Sequence, residues 1–416
     1  MSEWTLIEQV TLGVFAVMWL YQLYFWMRYI LAAVRRTKTR ADSKENSAEQ
    51  RRELNSREPG VSVIVCAKNE LANLRDYMQA LLTQDYPEYE VIIVNDGSVD
   101  DTRTYLEYWQ KRYKNLKLTF VPVGAKVTST KKLAITLGAK AAQYDYLLLT
   151  DADCRPESKH WISEMMAGFG SQESSAEQCR EPNSRETKDI VLGFGAYFVK
   201  PTLLNRMIQF DTLLNGLQYL GLAVCGHPYM GVGRNLAYSK RLFFEHGGFV
   251  GLLDNKAGDD DLFVNREATK DNTAVVCTRE SLTWSVPKTS LGDWLHQKRR
   301  HLSVAPKYKT STKFRLALEP LTRGLLYAAA IVLVVLGCQQ GAVSGQWSVI
   351  SLLPMLIALG AMLVRWIWQC VLLSIAASRW GTTKTVLLIP VWEIWLPLLT
   401  LVMMLIEPLR PKQKRW

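Results

Sequence analysis

Two aspartates with one alanine between them, Asp151 and Asp153, close the apolar run Tyr146-Leu-Leu-Leu-Thr150. In extended chain their side chains share a face, roughly 6.5 Å apart by the per-residue rise. At an effective dielectric of about 20 they repel by roughly 2.5 kcal/mol, so the pair calls for a cation. Three further stretches carry residue types that can do chemistry. Asn95-Asp96-Gly97-Ser98 places a carboxylate in a tight polar turn, and Gly258-Asp-Asp-Asp-Leu262 gathers three adjacent carboxylates. Such a cluster is either a solvated helix start that meets the dipole or the holder of one inward-facing base. His296-Gln-Lys-Arg-Arg-His-Leu302 is a basic run on an amphipathic helix, suited to phosphate or to lipid headgroups. The Gly-rich loop Cys225 to Asn235 reads either as a turn needing positive φ or as backbone approaching a ligand.

The elements that must hold these residues alternate between strand and helix. Val61–Ala67 is a short β-rich run closed by Lys68-Asn-Glu70, and Leu71 to Gln84 has helical periodicity. Tyr89 to Val94 is a second strand, Thr102 to Tyr113 a helix, Leu116 to Val123 a third strand, and Lys131 to Ala142 a helix leading into Tyr146–Thr150. This alternation predicts a doubly wound, mostly parallel α/β sheet. The uninterrupted apolar character of Tyr146–Thr150 suits a strand covered on both faces. Asp96 and the Asp151/Asp153 pair then lie at equivalent carboxyl ends of strands, where open α/β sheets bind ligands. Ser171 to Asp189 reads as a polar insertion, and Ile190 to Val199 returns to strand. No Gly-x-Gly-x-x-Gly follows the first strand and no P-loop motif occurs, which removes dinucleotide and P-loop chemistry.

Hydrophobicity is unevenly spread along the 416 residues. Val10 to Val34 and the region from Gly324 onward each reach the ~20 apolar residues needed to cross a bilayer. The expected plan is an N-terminal anchor with basic flank (1–40), a linker (41–60), a catalytic domain (61–305), an interfacial connection (306–320) and a C-terminal membrane region (321–416). Glu3 and Glu8 precede the first apolar segment and Arg35, Arg36, Lys38 and Arg40 follow it. That is not the flank pattern of a cleavable leader, and it predicts a cytoplasmic catalytic body. Much of the formal charge of +11 lies at such membrane edges, so anionic lipid explains it better than nucleic acid. Seven cysteines without a Cys-x-x-Cys pair argue against a disulfide framework or a zinc site and fit a reducing compartment.

With these motifs in this order, Val61 to about Leu302 resembles the family 2 glycosyltransferases: membrane-bound, inverting enzymes of GT-A fold that include polysaccharide synthases. The resemblance implies that Ala67 and Glu70 border the nucleoside and that Asp96 contacts the ribose or base. It aligns Lys131 with a family lysine ahead of the metal-binding strand. Asp151 and Asp153 match the family's DxD, which implies Mg²⁺ or Mn²⁺. Gly233 and Asn235 resemble an acceptor-side Gly-x-Asn-x-Ala loop. Two departures stand out. Gly258 occupies the place of a glutamate, leaving either Asp259 or Asp260 as the implied base. The Gln-x-x-Arg-Trp motif becomes Gln297-x-x-Arg300-His301, with His301 in the acceptor position normally held by tryptophan.

The implied chemistry is transfer of a sugar from a nucleotide-sugar donor to a lipid-linked or saccharide acceptor, with inversion at the anomeric centre. Arg300, with Arg299 beside it, would set fixed positive charge at the donor phosphates, and Gln297 belongs to the same donor-binding motif. A processive polysaccharide synthase and a membrane scaffold that binds nucleotide sugar without turnover are the competing readings. The enzyme belongs to cell-envelope glycan synthesis in a bacterial inner membrane on this resemblance. For the C-terminal region, two crossings are expected at Leu321–Cys338 and Trp347–Val364. Trp366 to Ser378 is too short for another. Thr385 to Glu407, interrupted by Pro390 and Pro397 and carrying Glu393, is expected to be broken or interfacial, with the basic tail cytoplasmic.

Overall fold

Thr5 starts the first helix with a reciprocal cap: its hydroxyl accepts from the Glu8 amide (3.3 Å) while the Glu8 carboxylate accepts from the Thr5 amide (2.8 Å). Helix α1 (Leu6–Phe25) runs through a π-helical turn, Trp26–Ile30, into α2 (Leu31–Arg36). The computed structural model describes residues 4–37, 58–170 apart from 123 and 126, 188–344 apart from 256, 349–382 and 388–406. The expected linker (except for its last three residues), nearly all of the polar insertion after Gly170 and the basic tail lie outside these.

Strand β1 (Val61–Ala67), helix α3 (Leu71–Leu82), β2 (Tyr89–Asn95), α4 (Thr102–Gln110), β3 (Leu116–Phe120), α5 (Thr130–Ala141) and β4 (Tyr146–Asp151) follow the expected alternation closely. Then come β5 (Cys154–Pro156), α6 (Trp161–Gly170), β6 (Ile190–Leu192), β7 (Gly195–Tyr197), α7 (Leu203–Val224), β8 (Leu236–Ser239), α8 (Lys240–Glu245), α9 (Asp261–Glu267), β9 (Thr273–Val275), β10 (Thr283–Ser285) and α10 (Leu291–Leu302). The main sheet has the order β3-β2-β1-β4-β8-β6-β9 and a small sheet the order β5-β10-β7. β3, β2, β1 and β4 are parallel, β8 is antiparallel to both its neighbours, and β9 is parallel to β6. The sheet is therefore mixed, with its parallel half formed by the four strands that the apolar runs predict.

Val61, Val63, Val65, Val91, Ile93, Leu147 and Leu148 are fully enclosed. Burying each such side chain is worth roughly 1.5–3 kcal/mol, so the strand ends they anchor are rigid supports. The stretch expected as one strand from Ile190 to Val199 is split between the two sheets. The break falls at Gly193, whose amide bonds the Asn235 carbonyl (3.0 Å); a Cβ there would come within 2.5 Å of the Asn235 side chain. That close approach of two backbone segments turns the chain out of the main sheet.

Helices α11 (Thr310–Ser344), α12 (Val349–Trp380) and α13 (Ile389–Ile406) complete the chain. The chain divides into two units. One contains residues 1–32, 309–375 and 384–416; the other contains 33–308 and 376–383. In the first unit, α11 begins at Thr310, so 310–320 is helix rather than a separate connection. Trp366 to Ser378 belongs to the same helix as Val349 to Val364. At 32 residues this helix is about 48 Å long and exceeds the ~30 Å hydrocarbon core. Among the described residues, three helical stretches are long and apolar enough to cross a membrane: Leu6–Arg36, Thr310–Gln340 and Leu352–Trp380; Ile389–Met403 is apolar but shorter. Within this unit Glu393 is buried and bidentate with Arg365, which offsets its charge.

Candidate active site

The parallel register brings the first three functional strands to a common edge. Ala67 faces Asn95 across β1 and β2, and Cys66 faces Asp151 across β1 and β4. The Asp96 amide donates to the Ala67 carbonyl (2.8 Å), so these two donor-site candidates are adjoining. The Asp96 carboxylate is buried and accepts from the Thr130 hydroxyl (2.5 Å), with Lys68 Nζ 3.5 Å away. Glu70 stands just before α3 beside this edge, and its carboxylate accepts from Asn73 (2.6 Å). Burial pushes the Glu70 carboxyl up against the lowering effect of Asn73, and the Asp153 and Asp151 charges add to the rise.

Lys131 joins the strand edge to the acidic cluster. Its ammonium lies 3.0 Å from Asp151 Oδ1 and 3.2 Å from Asp259 Oδ2. Burial opposes its charge, but the two carboxylates outweigh burial and hold it protonated. Lys132 points elsewhere and is wholly enclosed. Its ammonium donates to the carbonyls of Leu252 (2.8 Å), Asn255 (2.6 Å) and Ala257 (2.8 Å). Three charge-assisted bonds thus fasten the loop that delivers Asp259, while the preceding lysine meets Asp259 itself.

The three adjacent aspartates have different surroundings. Asp260 caps α9, and both its oxygens are committed: Oδ2 accepts from the Gly233 amide (2.7 Å) and Oδ1 from the Asp261 amide (2.8 Å). Asp261 accepts from the Leu262 amide (2.8 Å) and the Tyr308 hydroxyl (2.9 Å). Burial and the Asp260 charge push its carboxyl up to about 7. Asp259 Oδ2 is shielded from solvent and meets the Lys131 ammonium. Burial raises its carboxyl, but the Lys131 charge prevails and holds it below the usual range; Asp260 is pushed up by burial and by Asp259. Gly258 explains the departure from the glutamate-bearing pattern. Its φ is +87°, and a Cβ there would come within 2.6 Å of the Leu262 side chain.

Asp151, Asp153 and Cys154 place a ligand atom each within 4.8 Å of one another. The Cys154 thiol is buried, contacts Ser285 Oγ (2.9 Å), and is pushed well up by burial and by Asp153, so it stays a neutral thiol. The half-buried Asp153 carboxyl is also raised, first by burial and then by Asp151. Two facing carboxylates that repel each other are an oxygen donor set suited to Mg²⁺ or Mn²⁺ rather than to a thiophilic ion.

Arg234 is a site residue that motif reading passed over, although it stands between Gly233 and Asn235. Its guanidinium donates to the carbonyls of Gly195 (3.0 Å) and Ala196 (3.3 Å) and to Ser285 Oγ (3.1 Å), and lies 4.3 Å from the Tyr197 ring centre. Its charge acts on Asp153 and Asp151. Gln297 donates to the Tyr197 hydroxyl (3.0 Å), which brings α10 to the same ring. His301 shares the electrostatic neighbourhood of Arg234, Lys131 and Asp259. Arg300 is solvent-exposed at the end of α10.

The expectation for Asn235 requires correction. Its side chain is 0% exposed, accepts from Trp161 Nε1 (3.0 Å), and donates to the carbonyls of Phe194 (2.9 Å) and Ser281 (2.7 Å). With these polar groups engaged inside the fold, it shapes the loop and offers nothing to an acceptor. Gly233 is likewise buried and contributes its amide to Asp260.

Residues 62–236 match the family model described as glycosyl transferase family 2. The chain is 34% identical over 94 residues to a poly-β-1,6-N-acetyl-D-glucosamine synthase of Staphylococcus epidermidis, covering 23% of this chain and 22% of that one. It is 23% identical over 249 residues to a probable glycosyltransferase of Bacillus subtilis, covering 58% and 54%. The chain thus spans between about a fifth and about half of the length of these relatives. Among solved structures, a mannosyltransferase from Pyrobaculum calidifontis in complex with GDP-Man and Mn²⁺ superposes with a TM-score of 0.50 at 18% identity, over 90% of this chain and 99% of that one. At that identity the likeness concerns the fold, which is GT-A.

Proposed function

We propose, with residues 62–236 identified as a family 2 glycosyltransferase domain, that the chain is a membrane-bound inverting glycosyltransferase. It moves a sugar from a nucleotide-sugar donor to a lipid-linked or saccharide acceptor in cell-envelope glycan synthesis. The observation that carries this reading is Lys131 standing between Asp151 and Asp259, with 3.0 Å and 3.2 Å contacts. It joins a DxD carboxylate and a buried carboxylate of the acidic cluster through one cation, so a donor-side group and a base can serve one reaction centre.

Ala67, Glu70 and Asp96 at the ends of β1 and β2 bind the nucleoside. Asp151 and Asp153 would hold Mg²⁺ or Mn²⁺, which when bound neutralises charge on a diphosphate leaving group. Arg234 adds a fixed cation beside Asp153. Asp259 stays ionised beside Lys131 and accepts the proton of the acceptor hydroxyl as that oxygen attacks the anomeric carbon. The bond to the diphosphate oxygen breaks on the opposite face, so the configuration inverts and no covalent enzyme intermediate is needed. Asp260, with both oxygens held by backbone amides, anchors the loop.

The three membrane-length helices and the arginines Arg35 and Arg36 after the first of them support an integral membrane protein with a cytoplasmic catalytic unit. The test is to incubate membranes with a panel of nucleotide sugars and measure released nucleoside diphosphate, with and without Mn²⁺. Release that needs one donor and disappears in Asp259→Asn supports the proposal; no release with any donor refutes it.

A further inference from the structure

The small sheet β5-β10-β7 carries a line of polar contacts that ends on Asp153. Its register pairs Cys154 of β5 with Ser285 of β10, and Ser285 with Tyr197 of β7. Cys154 is 0% and Ser285 1% exposed, so neither side chain has water as a partner. The Cys154 thiol lies 3.3 Å from Asp153 Oδ1 and 2.9 Å from Ser285 Oγ. Arg234 Nη1 lies 3.1 Å from the same serine oxygen.

The chemistry of the four groups fixes the direction of every bond in this line. A guanidinium has only donors, so Ser285 Oγ accepts from Arg234. An ionised carboxylate has only acceptors, and a thiol keeps its proton at neutral pH, so Cys154 donates to Asp153 Oδ1. With the thiol proton committed there, the Ser285 hydroxyl donates to Cys154 Sγ. The bonds run one way, from Arg234 to Ser285 to Cys154 to Asp153, and bonds in such a chain polarise and strengthen one another. The start of the line is fixed by β7, where the carbonyls of Gly195 (3.0 Å) and Ala196 (3.3 Å) hold the guanidinium. At its end, Asp153 Oδ2 has no hydrogen bond or ion pair among the described residues. One carboxylate oxygen is thus held by the protein, and the other is available to coordinate.

We propose that Cys154 and Ser285 are positioning residues that orient the Asp153 carboxylate toward a divalent cation without touching the cation themselves. The inference rests on the reading of Asp151 and Asp153 as the metal site. Hydrogen bonds of this kind orient ligating carboxylates, and losing such a partner typically costs 10–100-fold in metal affinity. The thiol lies within 4.8 Å of the ligand atoms of both aspartates. Because it donates to Asp153 and accepts from Ser285, it directs an oxygen ligand and is not itself a sulfur ligand.

The test titrates Mn²⁺ into the full chain in detergent and follows the electron paramagnetic resonance signal of the free ion. Thermal melts without metal check that each variant folds. Cys154→Ala should bind Mn²⁺ about tenfold more weakly than wild type. Cys154→Ser, whose hydroxyl can both donate and accept, should stay within about threefold. Ser285→Ala should also lose about tenfold, and the double variant Cys154→Ala/Ser285→Ala about as much as either single one, not the roughly hundredfold product. If Ser285→Ala does not fold, the two Cys154 variants decide alone. Wild-type affinity in Cys154→Ala, equal losses in Cys154→Ala and Cys154→Ser, or a multiplied loss in the double variant overturns the proposal. So does Cd²⁺ binding more than about tenfold tighter in wild type than in Cys154→Ser, which makes the thiol a ligand. Asp153→Asn separates this failure from that of the metal site: if it binds Mn²⁺ as wild type does, or neither binds, the metal reading fails. If Asp153→Asn loses binding and Cys154→Ala does not, only the positioning role fails.

Discussion

Replacing Asp259 and Asp260 separately by asparagine tests the division of labour within the acidic cluster. Asp260 accepts two backbone amides, from Gly233 at 2.7 Å and Asp261 at 2.8 Å. An asparagine has one carbonyl oxygen in place of two carboxylate oxygens, so Asp260→Asn leaves at least one of these amides unpaired. Losing a buried partner of that kind costs about 1–3 kcal/mol. Asp259 is held by Lys131 at 3.2 Å and by its own backbone amide. Asp259→Asn removes a carboxylate that Lys131 holds ionised against burial, so some stability is lost with it. What it removes is the proton acceptor, and general-base catalysis is worth typically 10²–10⁴ in rate. The assay pairs initial rates of nucleoside diphosphate release with thermal unfolding of both purified variants in detergent. Asp259→Asn should lose at least about 100-fold in kcat with donor KM nearly unchanged. Asp260→Asn should melt several degrees lower and keep more of its kcat. The assignment is wrong if Asp260→Asn loses the larger share of kcat at unaltered stability.

The remaining predictions concern the supports of the site. Lys132→Met should free the carbonyls of Leu252, Asn255 and Ala257 and lower kcat more than it raises donor KM, since the displaced loop carries the base and not the donor contacts; an unchanged kcat in a folded variant would sink this. Asp261, raised to about 7 in the folded chain against about 3.9 unfolded, keeps its proton longer when folded, so stability should fall as pH rises from about 4 to 7. Asp261→Asn should flatten that slope in melts taken across this range, by up to a few kcal/mol; an unaltered slope would rule Asp261 out as its source. Chelation with EDTA should abolish diphosphate release and Mn²⁺ should restore it, while Asp153→Asn should remain inactive after Mn²⁺ is added back; full activity in EDTA would exclude a metal requirement.

The half of the fold most legible from sequence was the half whose physics is local. β4 is an unbroken apolar run, and β1 and β2 are broken only by Ser62 and Glu90, which bond each other (2.6 Å); all three end in polar turns, as suits strands buried on both faces. The ends of those runs therefore located Asp96 and Asp151 in advance. The β6–β7 region carries the same apolar character but divides at Gly193, for a reason visible only once Asn235 packs against it. Similarly, Val349 to Ser378 contains two apolar blocks around Arg365, and the polar residue looks like a boundary until Glu393 pairs with it.

The acidic cluster shows why residue type alone does not assign a role. Asp259, Asp260 and Asp261 are identical side chains in consecutive positions, and any of them can be drawn as a base. Their difference comes from partners 27, 128 and 47 residues away: the Gly233 amide, the Lys131 ammonium and the Tyr308 hydroxyl. The two lysines repeat the lesson on the other side of the contact. Lys131 and Lys132 are neighbours near the start of α5, about 100° apart around its axis, so one reaches the carboxylates while the other is turned into the 252–257 loop. A single helical turn thus sets both the charge state of Asp259 and the position of the loop that presents it. The two substitutions should therefore separate: loss of Lys131 should act through charge at Asp259, and loss of Lys132 through geometry.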